Sequence, residues 1–157
     1  MRDIFAKARL SPGQLRSVAD RRYDDAVALR DTGKNARANG AMYLGGFVLE
    51  CLLKAALLEE YRWLQTARTD EGRSRQERRL WSLCYRSHEL DQILAHLPRI
   101  VERLARVEQR ESQRLTRSLR SLCGRWNIYA RYSPQTTDMT DARLFLEQVK
   151  ELKPWLR

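Results

Sequence analysis

Apolar residues run almost unbroken from Ala41 to Tyr61, AMYLGGFVLECLLKAALLEEY, with only Glu50 and Lys54 intervening before the polar end. Ala, Leu, Glu and Lys dominate this stretch, so intrinsic preference and pattern agree on a helix. A helix apolar on nearly all sides needs protein around it, and two charges make this one a poor membrane span. It reads as the central helix of an all-α domain. Glu50 and Lys54 stand four apart with the acid first, the favourable order for a helical ion pair. Burial of such a pair is costly unless it is hydrogen-bonded, so the two residues either reach the helix surface or serve a site inside the bundle. Gly45 and Gly46 each cost about 1 kcal/mol relative to alanine inside a helix. They predict close approach of another backbone.

The other periodic stretches surround this one. Ser11-Pro12 is a helix start, and Leu15, Val18, Ala19, Tyr23, Ala26 and Leu29 recur at helical spacing until Gly33. A short link, Lys34 to Asn39, makes the first two helices an antiparallel hairpin. Residues 62–79 lose periodicity and read as an exposed basic connection. Apolar positions resume at Leu80, Trp81, Leu83 and Cys84. Ser87 is placed to cap a helix carrying Leu90, Ile93, Leu94 and Leu97, with Glu89 and Asp91 in its first turn. Pro98 opens a helix from Arg99 to about Cys123, closed by Gly124. Along it Arg99, Arg103, Arg106, Arg110, Arg114, Arg117 and Arg120 alternate spacings of three and four, a single basic stripe if the helix is continuous. Polar residues Glu108 to Gln113 are where helix and stripe would break. Thr140 is placed to cap a last helix with Ala142, Phe145, Leu146, Val149 and Leu152 on one face; Pro154 stops it, and Trp155 and Leu156 pin the tail.

Composition adds a partner class. The 157 residues, 43% hydrophobic and 32% charged, suit one soluble domain spanning 1–157. A net charge of +10 points to a polyanionic partner, whether nucleic acid, nucleotide or acidic protein. The start MRDIFAKARL lacks a leader's apolar run, and Cys51, Cys84 and Cys123 read as reduced thiols, so a cytoplasmic protein with no membrane attachment is expected. No zinc spacing, glycine-rich phosphate loop or Ser/His/Asp arrangement is present, so neither metal nor cofactor is expected. His88 lies at a helix start and His96 at an edge.

The segment RWNIYARY, Arg125 to Tyr132, gathers cations and flat rings within two turns. Such a set suits phosphate and base contacts. Alternatively Trp126 and Tyr129 belong to the core and the arginines pair with Glu50 or Asp138. If the segment meets Glu50 and Lys54, then Glu50, Lys54, Arg125, Tyr129, Arg131 and Tyr132 form a ligand site.

Taken together, YLGGFVLECLLKAAL (43–57), SHELDQIL (87–94), RWNIYARY (125–132) and ARLFLEQVKEL (142–152) resemble the HEPN superfamily in content and order. The resemblance spans about Leu15 to Leu156. It implies an up-and-down bundle of about four or five helices. It also implies a homodimer, encoded in prokaryotes beside a nucleotidyltransferase or within toxin–antitoxin and anti-phage defence systems. Catalytic members are metal-independent ribonucleases that carry an arginine, four to six residues, then a histidine. Histidine serves there as acid or base and arginine holds the phosphate. Here Arg125 matches the arginine, but Ala130 occupies the histidine position, with Tyr132 two residues on. The expectation is a HEPN-like protein that binds RNA, a nucleotide or a nucleotidyltransferase partner without cutting RNA. The alternatives are a divergent ribonuclease toxin using Arg125, Arg131, Tyr132 and His88, and a structural subunit whose arginine stripe docks an acidic protein.

Overall fold

The computed structural model describes residues 9–157; the opening MRDIFAKA, read above as lacking a leader, lies outside them. The described residues are all-α, with no strand among them. The helices are α1 (Pro12–Asp31), α2 (Ala38–Glu60), α3 (Arg75–Tyr85), α4 (Leu90–Leu94), α5 (Pro98–Leu104), α6 (Gln109–Arg125) and α7 (Met139–Leu152). Short 3-10 turns fill Asn35–Arg37, Arg62–Gln65, Ile128–Tyr132 and Lys153–Leu156.

Local chemistry sets the ends of α1. Ser11 and Gln14 form a reciprocal capping box, Pro12 occupies the first turn, and Gly33 turns the chain with φ of 66°. The six-residue link after Asp31 then folds α2 back along α1, the most extensive contact in the molecule, with α7 on α2 next. Leu49, Leu52, Leu53, Leu57 and Leu58 of α2 are fully buried against Ala19 and Ala26 of α1, Leu80 and Leu83 of α3, Ile93 of α4, Leu104 of α5, Leu115 and Leu119 of α6, and Leu146 and Val149 of α7. Each such leucine contributes about 1.5–3 kcal/mol. Residues Asn35–Glu60 are long and apolar enough to cross a membrane, but 67% of their most apolar window is buried inside the molecule, which identifies α2 as the core helix.

Several boundaries differ from the expectation. The exposed connection at 62–79 is shorter: Leu64 and Ala67 are buried, and α3 begins at Arg75 behind a capping box of Ser74 and Glu77. Ser87 does not cap α4; Glu89 is the N-cap residue, and the Ser87 hydroxyl instead accepts from the Glu89 amide. Asp138, not Thr140, caps α7 by accepting from the Asp141 amide. Gly124 closes nothing, because α6 runs on through Arg125 and only Gly33 and Gly72 have positive φ among the described residues. The run from Arg99 to Cys123 is two helices rather than one. Chain 105–108 separates α5 from α6, and the Glu108 carboxylate starts the second helix by accepting from the amides of Arg110 and Glu111.

Candidate functional site

One face of α2 carries Gly46, Glu50 and Lys54 at four-residue intervals, with Gly45 beside it, and three other parts of the chain converge on it. A methyl group at Gly46 would fall inside the ring of Trp126, and one at Gly45 would lie 2.7 Å from Leu146 and 2.9 Å from Phe145. The glycines therefore admit side chains of the RWNIYARY segment and α7, not the second backbone expected. Trp126 is 7% exposed; its Nε1 donates to the Tyr43 carbonyl at 3.2 Å and its ring lies 6.1 Å from that of Tyr43. It is a core residue.

One turn further along, Glu50 is only 3% exposed. Its Oε1 accepts from Lys54 Nζ at 2.8 Å and lies 2.9 Å from His88 Nδ1; its buried Oε2 has no partner among the described residues. An ionised carboxylate only accepts, so Nδ1 carries the proton and Nε2 is directed elsewhere. The His88 side chain is 38% exposed, and Nε2 makes no hydrogen bond among the described residues. Sequence spacing predicts the Glu50–Lys54 pair. It gives no sign of His88, which reaches the carboxylate from the start of α4. The cysteines offer no nucleophile: burial pushes the thiols of Cys51 and Cys123 up to about 12 and that of Cys84 up to about 11. Burial also lowers His96, with Arg79 acting in the same direction. No cluster of three potential metal ligands exists among the described residues.

A groove of about 810 Å³ opens between the start of α2, the start of α7 and the segment between α6 and α7. Met42, Tyr43, Trp126 and Phe145 form its apolar side, and Arg125, Asp138 and Asp141 bring charge to it. Asn39 holds the far wall, donating to the Gln135 carbonyl at 2.7 Å and accepting from the Thr137 amide at 2.9 Å; Asn35 accepts from the Met139 amide at 2.9 Å. Glu50 and Lys54 do not line the groove, so the ligand site expected from these two residues and the aromatic segment divides in two. Arg125 lines the groove, whereas Tyr129 and Tyr132 stand outside it, 74% and 71% exposed. The Arg131 guanidinium lies 4.7 Å from the Tyr132 ring centroid. Neither Arg125 nor Arg131 pairs with Glu50, Asp138 or any other acid among the described residues. Tyr129 is not a core residue.

The break between α5 and α6 also divides the arginine stripe. Arg99 lies 3.7 Å from Glu60, and Arg103 donates to the carbonyls of Trp155 and Arg157, tying down the tail. Arg106 falls in the break. On α6 the stripe survives: at about 100° per residue, Arg110, Arg114, Arg117 and Arg120 project away from the buried Leu115, Leu119 and Leu122, and Arg125 follows at the helix end. Arg114 makes a bidentate pair with Glu151 of α7 at 2.7 and 2.5 Å. Arg110, Arg117, Arg120 and Arg125 are exposed and form no ion pair among the described residues. Compared with known protein families, curated proteins and solved structures, the chain matches none.

Proposed function

We propose that this is a HEPN-like RNA-binding protein of the cytoplasm that holds a single strand along the arginine face of α6 and the aromatic segment after it, without cutting it. The observation that carries this reading is the run of Arg110, Arg117 and Arg120 on one helical face, without ion pairs among the described residues, continuing through Arg125 at the helix end to the exposed Arg131–Tyr132 stack. The seventeen residues of α6 extend about 25 Å, enough to follow several phosphates, and an exposed tyrosine beside a guanidinium is a stacking platform for bases. The HEPN assignment is supported by the meeting of the other three resembling segments on α2, which holds the first: Trp126 at Gly46, His88 at Glu50, and Phe145 and Leu146 at Gly45. With that assignment come a homodimer and a place beside a nucleotidyltransferase or other defence-system protein.

The test is titration of a labelled single-stranded RNA across a series of salt concentrations. Each phosphate contact contributes about 0.7 to the log–log salt slope. Replacing Arg110, Arg117 and Arg120 together by glutamine lowers that slope by about two. Tyr132→Ala weakens binding about tenfold through lost stacking. RNA recovered after incubation without metal remains intact. Binding that ignores both salt and these substitutions sinks the proposal.

A second reading, the divergent ribonuclease, has one observation behind it: Glu50 holds Nδ1 of a partly exposed His88, and Nε2 has no hydrogen bond among the described residues. Metal-free cleavage abolished by His88→Ala would favour it.

A further inference from the structure

We infer that the groove beside Arg125 is a nucleobase pocket for the bound strand, accepting bases that carry an exocyclic amine (adenine, cytosine or guanine) and rejecting uracil. The inference rests on the RNA-binding reading and gives that site its specificity. Arg125 connects the two regions: it ends the arginine face of α6 and also lines the groove. A phosphate held there leaves its base within reach of the opening.

The charges of the groove decide which part of a nucleotide enters. Asp138 and Asp141, both exposed at the groove, outnumber Arg125, so that wall disfavours a phosphate and leaves the backbone on the arginine side. Its size, about 810 Å³, falls in the usual range for small-ligand pockets. Tyr43, Trp126 and Phe145 give the base an apolar, aromatic surface.

The two carboxylates read the base. Asp138 Oδ1 is occupied by the Asp141 amide at 2.9 Å, and Asp141 Oδ2 by the Thr137 hydroxyl at 2.9 Å. The second oxygen of each accepts nothing among the described residues and, being exposed, is open to a ligand donor in place of water. The exocyclic amino group of adenine, cytosine or guanine supplies that donor. Uracil presents two carbonyl oxygens flanking one N–H, and those oxygens meet the carboxylates with like polarity.

Eight-residue oligoadenylate, oligocytidylate and oligouridylate, each labelled and titrated with the full chain at one salt concentration, test the inference. The wild type binds the first two about tenfold more tightly than the third, the scale of one good base contact. Asp138→Ser with Asp141→Ala removes the carboxylates and with them the preference while preserving the helix start, since serine caps as well as aspartate. Thr136→Trp fills the groove from an exposed position and brings adenylate and cytidylate down to the uridylate affinity. Substitution of the α6 arginines weakens all three oligonucleotides alike. Salt-sensitive binding that is equal for the three overturns the pocket and leaves the RNA-binding reading standing. A preference that survives both groove variants overturns the pocket as well. Binding of none of the three overturns both readings.

Discussion

At Gly46 a missing side chain is occupied by another residue's ring. Gly46→Ala drives a methyl group into Trp126, which already has its Nε1 bonded to Tyr43 and lies against the helix. Overpacking of this kind costs about 1–3 kcal/mol. In a Trp126→Ala background the obstacle is gone, and alanine's better helix preference, about 1 kcal/mol over glycine, makes the same substitution favourable. Urea unfolding of the wild type, both single variants and the double variant should therefore give a coupling above 1 kcal/mol; additive costs would mean the ring does not sit there. The sequence shows that something approaches α2 at this point, because paired glycines in so strong a helix require a reason. It does not show what, since the occupant is far along the chain. Glu50 repeats the lesson: its partner Lys54 is visible from a spacing of four, whereas His88 arrives through tertiary structure.

At the level of elements, what could be read from sequence depended on whether the signal was local. The box at Ser11 and Gln14 and the turn at Gly33 lie next to the residues they act on, and α1 was legible at both ends. The α5–α6 break was legible only as a polar stretch, Glu108 to Gln113, just beyond its place at 105–108, because apolar residues recur on both sides and only the two amides bonded to Glu108 decide where the second helix starts. That one break removes Arg99, Arg103 and Arg106 from the stripe and leaves the usable basic face on α6. A local signal was also present at α3 and obscured by basic residues around it: Ser74-Arg75-Gln76-Glu77 has capping-box spacing, and both reciprocal hydrogen bonds form, at 3.2 Å and 3.0 Å. Ser74→Ala should cost about 1 kcal/mol in urea unfolding, and Ser74→Asp little. Equal stability of wild type and the alanine variant would mean that packing of Leu80, Trp81 and Leu83 alone sets the start of α3.

For the whole molecule, the opposing effect to the +10 net charge is a small number of acids tying distant elements together. Asp20 of α1 meets Lys153 and Arg157 at the end of the chain, and Glu151 of α7 meets Arg114 of α6. Burial pushes the Asp20 carboxyl up, but the hydrogen bonds from Arg157 and Lys153 outweigh it and hold the group below its ordinary 3.8. The hydrogen bond from Arg114 holds Glu151 below its ordinary 4.5. A carboxylate lowered in the folded state binds its proton more readily when unfolded. Its contribution is complete above the unfolded value and is lost as pH falls through the folded one, so the loss begins near pH 4.5 and deepens below it. Both sites are partly solvated, which limits each to about 0.2–1 kcal/mol. Protonating the remaining acids leaves the cations unopposed and adds self-repulsion in the same direction. Asp20→Asn with Glu151→Gln separates the two effects. That variant should be less stable than wild type at pH 7, and should lose less on acidification, so that the urea midpoints draw closer between pH 5 and pH 3. Midpoints that fall in parallel between pH 5 and pH 3 would mean that the ties contribute nothing and that repulsion among the arginines alone sets the acid limit.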